Sequence, residues 1–151
     1  MSSNIVEFVF KNKIIKIKNP DPNETILNYV RLNLKETGTK EGCAEGGCGA
    51  CTIVLGEIKD NNIVYKSINS CIAFLPALNG KQLILIENLS SENGKLHPVQ
   101  NAMVNFHGSQ CGFCTPGFVM SMFAMFKNNK SINNELINDS LSGNLCRCTG
   151  Y

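Results

Sequence analysis

The chain has 151 residues, 43% of them hydrophobic and 17% charged. This composition excludes a disordered tail and suits one ordinary domain or two small ones. A net charge of +2 is too balanced for nucleic acid to be the expected partner. No apolar run approaches the roughly 18 residues that a membrane span needs, and the first residues lack the pattern of a secretory signal. We therefore expect a cytoplasmic protein with no nucleic-acid or membrane partner.

The first half of the chain reads as strands with one helix. Asn12 is expected in a left-handed turn between the first two strands. Residues 21–24 predict a helix start with Asp21 as its cap, and Gly38 is expected to end that helix. Five segments rich in β-branched and other apolar residues predict strands: residues 5–10, 14–17, 52–55, 63–68 and 83–86.

The second half changes to helical periodicity after a linker-like segment at residues 90–94. His97 is expected to start the first of its helices. Thr115 is expected to cap the next one, whose apolar residues 118–126 predict burial on all sides. Ile132, Leu136, Ile137 and Leu141 make a further helical face. The pattern predicts an α+β protein with a strand-rich domain at residues 1–85 and an all-helical domain at residues 86–151.

Eight cysteines are the most informative feature of the composition. In a reducing compartment they indicate metal or redox chemistry rather than a disulfide framework. Four of them, with the spacing C-x4-C-x2-C and a distant fourth, are Cys43, Cys48, Cys51 and Cys71. This is the plant-type [2Fe–2S] ferredoxin spacing. The loop at residues 42–51 is rich in glycine, so its backbone can wrap around an anionic cluster and direct N–H groups at the sulfurs.

The other four cysteines follow the pattern C-x2-C and, after a long gap, C-x-C: Cys111, Cys114, Cys146 and Cys148. Cys114 directly precedes a predicted helix, whose N-terminus would place free N–H groups beside an anionic cluster. Each predicted domain thus holds its own set of four thiols. Structural zinc is an alternative for either set, although zinc ribbons usually pair two C-x2-C knuckles. A disulfide scaffold is another, disfavoured by the missing export signal.

The cysteine motifs resemble those of the xanthine dehydrogenase (molybdenum hydroxylase) family. The resemblance rests on residues 39–52, 107–117 and 143–151, together with residues 96–100, and it covers essentially the whole chain. Ala44 departs from the family, which often has glycine there. The resemblance implies a plant-ferredoxin-like β-grasp domain followed by an all-α four-helix-bundle domain, each with one [2Fe–2S] cluster held by its four cysteines.

What the resemblance implies about function is electron transfer. In the family, electrons pass from a molybdopterin-bound molybdenum through the helical-domain cluster and then the β-grasp cluster to FAD. Gln110 matches the glutamine that contacts the molybdopterin cofactor, and Cys148 matches the cluster ligand nearest the pterin. The partners implied are a molybdopterin-binding subunit or domain and an FAD-binding domain, within a hetero-oligomer. The signatures are closest to those of purine-oxidising members, and no catalytic residue is expected on this chain.

Several alternatives stay open at this point. The chain is expected to be either the N-terminal part of a longer polypeptide or a separate small iron–sulfur subunit, as in a bacterial-type xanthine dehydrogenase. An aldehyde, carbon monoxide or N-heterocycle could replace the purine as substrate. A free-standing ferredoxin-like carrier and a zinc-binding interaction protein are the competing classes. The apolar Phe113 and residues 118–126 predict that the helical cluster is deeply buried, whereas Cys43 to Cys51 lie in a surface loop.

Overall fold

The computed structural model describes residues 4–91 and 93–151. The absence of a signal pattern was read from residues 1–3 as well, and Glu92 belongs to the predicted linker; these positions lie outside the described residues. Five strands form one mixed sheet in the order β2-β1-β5-β3-β4. The strands are β1 (Ile5–Phe10), β2 (Lys13–Lys18), β3 (Thr52–Lys59), β4 (Asn62–Asn69) and β5 (Gln82–Ile84). β1 and β5 run parallel, and the other neighbours are antiparallel.

All five predicted strands are confirmed, with shifts at their ends. β3 and β4 extend further than predicted because their antiparallel register runs without interruption from Thr52 and Asn69 to Lys59 and Asn62. The β1–β2 turn has Lys11 as well as Asn12 in the left-handed region, at φ 47° and 60°. Two consecutive left-handed residues match the twist of a tight hairpin, which confirms the prediction for Asn12.

The first helix begins later than predicted. α1 spans Ile26–Asn28 and continues as a π-helical segment over Tyr29–Asn33. Thr25, not Asp21, is its cap. The reason is that Thr25 still pairs with Phe74 in an extended bridge, so the chain cannot turn into a helix before that point.

The helix also ends earlier than predicted. Lys35 takes a left-handed conformation at φ 61°, and the chain has left the helix well before Gly38. The apolar side of the helical segment packs under the sheet in a core with Phe8 and Ile53. Its fully buried members are Ile26, Leu27 and Val30. The following loop, residues 34–51, joins this helical segment to β3 and carries three of the cysteines.

Three α-helices follow in the described part of the second half: α2 (Pro98–Asn105), α3 (Thr115–Asn128) and α4 (Asn134–Leu141). His97 caps α2 as predicted, and its side chain accepts a hydrogen bond from Val99. Cys114, not Thr115, occupies the cap position of α3. The Thr115 hydroxyl instead bonds that of Ser109 at 2.7 Å.

One side of α3 is buried and another is exposed to solvent, so the prediction that the helix is buried on all sides is wrong. Val119, Met120 and Phe123 are buried, but 44% of Phe126 is exposed. The buried side packs against Val54 and Ile84 of the sheet. α2 and α3 therefore share a core with the sheet instead of closing one of their own. Within the described residues, no helix combines the length and apolarity needed to cross a membrane.

Candidate metal centres

The structure brings the eight predicted cysteines together as four pairs. The sulfur atoms of Cys51 and Cys71 lie 3.3 Å apart, close to the roughly 3.7 Å edge of a tetrahedron with metal–thiolate bonds of about 2.3 Å. In the other three pairs one thiol lies close enough to shift the pKa of its neighbour: Cys48 acts on Cys43, Cys148 on Cys111 and Cys146 on Cys114. All eight are free thiols, so a disulfide framework is not what the structure contains.

The pairing has a direct chemical meaning. In a [2Fe–2S] cluster two sulfides bridge the irons, so each tetrahedral iron needs only two thiolates from the protein. Two pairs in each set therefore supply what one cluster requires. Between residues 4 and 151, Glu92 excepted, no three or more His, Cys, Asp and Glu side chains are grouped so that they could hold a single metal ion.

Backbone N–H groups surround the sulfur of Cys43. The Gly47 amide donates to Cys43 Sγ at 3.3 Å. A hydrogen bond from the Glu45 backbone is the main reason that the pKa of the Cys43 thiol falls to about 7, assisted by Cys48 and partly opposed by desolvation. The same donors would stabilise an anionic cluster, since hydrogen bonds to the sulfurs offset its charge.

The loop between Cys43 and Cys51 is left-handed at three places. Gly46 and Gly49 have φ of 80° and 70°, and Ala44 has φ 58°. The positive φ that was predicted for the glycines of this loop therefore occurs at Gly46 and Gly49 but not at Gly42 or Gly47. Ala44 departs from the family pattern at a place where its backbone conformation favours glycine, because Cβ strains a left-handed residue.

Cys71 reaches the site from the end of β4. Asn69 Nδ2 donates to Gly46 O at 2.6 Å, and Ser70 Oγ donates to Cys51 O at 2.7 Å. Burial and the neighbouring Cys51 raise the pKa of the Cys71 thiol to about 11. A thiol of this kind becomes a ligand only when a metal takes the place of its proton.

The second set lies at the surface of this chain. Cys111 and Cys148 are exposed, and Cys114 is half-buried. Burial and the neighbouring Cys146 raise the pKa of the Cys114 thiol to about 11. Hydrogen bonds from Thr149 lower the pKa of the Cys146 thiol to about 7.

The prediction that the helical set is deeply buried is wrong for this chain. Cys51 is 1% exposed, whereas Cys111 and Cys148 are exposed, so the strand-rich set is the more enclosed one. The error came from the apolar neighbours: Phe113 is itself 47% exposed and gives little cover. Gln110 is exposed beside Cys111. The open edge of the helical set thus carries the residues that the resemblance assigns to cofactor contact.

The two cysteine sets meet at one junction that the sequence did not reveal. The Leu145 amide donates to Cys48 O at 3.0 Å. The buried Asn144 side chain donates to Gly49 O at 3.1 Å and accepts from Ser121 Oγ at 2.7 Å. The only signal was the position of Asn144 two residues before Cys146, inside the third motif.

Two sets of four thiols, each divided into pairs, with backbone N–H groups directed at Cys43, are the arrangement that an iron–sulfur electron-transfer protein needs. Residues 10–75 match the family described as "2Fe-2S iron-sulfur cluster binding domain". Residues 85–151 match the family described as "[2Fe-2S] binding domain". The chain therefore carries two [2Fe–2S] clusters, one for each matched segment.

The curated relatives include xanthine dehydrogenase of Blastobotrys adeninivorans, 51% identical over 89% of this chain and 10% of that protein. Xanthine dehydrogenase/oxidase of Felis catus is 47% identical over 97% of this chain and 11% of that protein. Aldehyde oxidase 1 of Oryctolagus cuniculus is 42% identical over 95% of this chain and 11% of that protein. The chain thus spans about a tenth of the length of these relatives.

Solved structures of oxidoreductases share the fold of this chain. Quinoline 2-oxidoreductase from Pseudomonas putida 86 superposes with a TM-score of 0.80 at 29% identity, covering all of this chain and 87% of that one. The aldehyde oxidoreductase of Desulfovibrio desulfuricans gives a TM-score of 0.79 at 28% identity, covering 95% of this chain and 15% of that one. The chain belongs to the xanthine dehydrogenase (molybdenum hydroxylase) family, as its two-cluster iron–sulfur region.

Proposed function

We propose that this chain is the electron-transfer part of a molybdenum hydroxylase, with all eight cysteines as cluster ligands. Cys43, Cys48, Cys51 and Cys71 hold one [2Fe–2S] cluster, and Cys111, Cys114, Cys146 and Cys148 hold the other. The observation that carries the proposal is the division of each set into two thiol pairs, led by Cys51 and Cys71 at 3.3 Å. When bound, each cluster takes up and releases one electron.

The decisive experiment is the iron and acid-labile sulfide content of the purified chain. Two clusters predict about four iron and about four sulfide per chain, with visible absorption. Iron near two would mean that one of the sets holds no cluster. Zinc without labile sulfide would establish the zinc alternative instead, since zinc is d10 and gives no colour.

We further propose a division into a β-grasp domain at residues 1–85 and a helical domain at residues 86–151. The two family matches, at residues 10–75 and 85–151, support a boundary near this point. The four-helix description of the second domain stays a prediction. The described part of that segment has three helices of eight residues or more.

The substrate that we propose for the whole enzyme is hypoxanthine or xanthine. Support comes from relatives called xanthine dehydrogenase, which are 44% and 51% identical to this chain. A relative called aldehyde oxidase is 42% identical, so an aldehyde is the second candidate. Purine-dependent reduction of the assembled enzyme tests this point. If an aldehyde, and not a purine, bleaches the visible absorption, the substrate assignment is wrong while the two-cluster assignment stands.

The proposed partners are a molybdopterin-binding domain or subunit and an FAD-binding one, in a hetero-oligomer. We place the molybdopterin partner at the helical set, because Gln110, Cys111 and Cys148 share an exposed edge. The FAD partner would then face the strand-rich set. A Cys148→Ala variant of the assembled enzyme should slow reduction of FAD by substrate, while reduction of FAD by NADH remains. Unchanged reduction by substrate in a variant that has lost the helical cluster would exclude this order.

The cytoplasm is the compartment that we propose. Eight thiols with no disulfide among them suit a reducing environment. Fractionation of cells followed by immunoblotting tests the assignment, and recovery of the chain from an oxidising compartment would contradict it.

A further inference from the structure

A backbone hydrogen bond joins the two cysteine sets at their junction. Leu145 N donates to Cys48 O at 3.0 Å. Cys48 is a candidate ligand of the first set, and Leu145 is the residue directly before Cys146 of the second. The two sets are therefore linked by a short run of backbone bonds and a single hydrogen bond, although nearly a hundred residues separate them in sequence.

Asn144 holds this junction in place. It is only 9% exposed, and its Nδ2 donates to Gly49 O at 3.1 Å and to Thr52 Oγ1 at 3.4 Å. Its Oδ1 accepts from Ser121 Oγ at 2.7 Å. One side chain thus joins the first cysteine loop, the start of β3 and the middle of α3. A buried amide with its donor and acceptor both used is expensive to displace, which fixes the relative position of these elements.

The backbones at the junction approach too closely for other residues. A Cβ on Gly117 would collide with Gly49 O, and a Cβ on Gly49 would collide with Gly143 O. Thr52 Oγ1 also donates to Gly49 O at 2.7 Å. The carbonyl of Gly49 is therefore held by two side chains in a gap that only glycine leaves open.

We propose that Asn144 is a positioning residue: its hydrogen bonds to Gly49, Thr52 and Ser121 set the two cysteine loops against each other and thereby set the rate of electron exchange between the two sets. The inference rests on the proposed function, in which both sets hold clusters. The exchange is of one electron: one cluster is oxidised and the other reduced, no bond is made or broken, and no proton moves. Electron tunnelling weakens steeply when a hydrogen bond is replaced by a gap, so a loosened junction slows the exchange.

The test compares Asn144→Ala with Asn133→Ala. Asn133 accepts a hydrogen bond from Leu136 N at 2.8 Å at the start of α4, so its loss also removes an asparagine hydrogen bond from the helical half but leaves the junction intact. In each variant we would measure iron content, the magnetic interaction between the two reduced centres, and the rate at which one electron equilibrates between them after pulsed reduction.

Asn144→Ala should retain the iron of the wild type, equilibrate severalfold more slowly and show an altered magnetic interaction, while Asn133→Ala matches the wild type. Full iron with an unchanged equilibration rate would overturn the proposal. If Asn144→Ala fails to assemble, Ser121→Ala decides, because it frees only the acceptor side of the amide: a slower rate supports the proposal and a wild-type rate refutes it. A wild-type chain without two clusters would instead refute the proposed function.

Discussion

The sulfur atoms of Cys51 and Cys71 lie 3.3 Å apart although the two residues are 20 positions apart in sequence. The β3–β4 hairpin produces this meeting, since Thr52 at the start of β3 pairs with Asn69 at the end of β4. Each cysteine stands just outside that pair. The hairpin register therefore determines the geometry of half of the first site.

Replacing Cys71 with serine should remove the first cluster and leave the second. The hydroxyl is a poor substitute for a thiolate, and no ligand is shared between the sets. Iron content should fall from about four to about two per chain, and one of the two resonance signals of the reduced protein should disappear. Cys111→Ser is the matched variant and should remove the other signal. Loss of both signals in either variant would contradict the independence of the two sets.

Ala44→Gly should stabilise the chain. Ala44 has φ 58°, and a left-handed alanine costs about 1 kcal/mol relative to glycine after the greater freedom of unfolded glycine is counted. With a urea m-value of about 2 kcal/mol/M, the unfolding midpoint should rise by roughly 0.5 M.

The control for Ala44→Gly is Ala77→Gly. Ala77 lies in the right-handed 3₁₀ segment Leu75–Leu78, where glycine has no strain to relieve and should lower the midpoint. Equal changes at both positions would show that the conformation of Ala44 is not the cause.

The local pattern of the sequence was sufficient for the strands and for the cysteine sets, because alternation and ligand spacing are properties of adjacent residues. The local pattern failed where a contact with a residue distant in sequence determines the structure. Thr25 replaces Asp21 as a helix cap because of its bridge to Phe74. Asn144 acquires its role from Gly49, 95 positions away. The exposure of Cys111 and Cys148 follows from how α3 packs on the sheet and how α2 and α4 pack on α3, which their apolar periodicity alone does not specify.

Acidification should weaken the fold through His97. Burial, with a smaller contribution from Lys127, lowers the pKa of this histidine. Its ring packs edge-on against Phe123 and Phe126, with centroids 5.1 and 5.5 Å away. The unfolded chain therefore takes up the proton at a higher pH than the folded one. The stabilisation is present above the unfolded pKa of about 6.5 and is lost as the pH falls through the lower pKa of the folded state.

The urea midpoint followed by circular dichroism between pH 7 and pH 5 measures this effect. His97→Asn keeps a side-chain oxygen as a cap but has no proton to gain, so its midpoint should vary less with pH than that of the wild type. His107→Asn is the control and should retain the wild-type slope. A slope in His97→Asn as steep as in the wild type would assign the pH dependence to other groups.

Glu87 should anchor the entrance to the first cysteine loop. Its Oε1 accepts a hydrogen bond from Gly38 N at 2.6 Å, and Arg31 donates to Thr39 O at 2.6 Å just beyond. Glu87 Oε2 and Thr39 Oγ1 are buried and have no hydrogen-bond partner within the described residues. A half-buried carboxylate that stays in such a position is held by its bond to Gly38. Glu87→Ala should therefore lower the free energy of unfolding by about 1–2 kcal/mol and hasten loss of the first cluster's absorption in urea.

Two variants serve as controls for Glu87→Ala. Glu87→Gln retains an acceptor for Gly38 and should lie between Glu87→Ala and the wild type. Glu41→Ala, at an exposed acidic residue of the same loop, should match the wild type. If Glu87→Ala releases iron no faster than Glu41→Ala, the entrance to the loop is fixed by Arg31 alone.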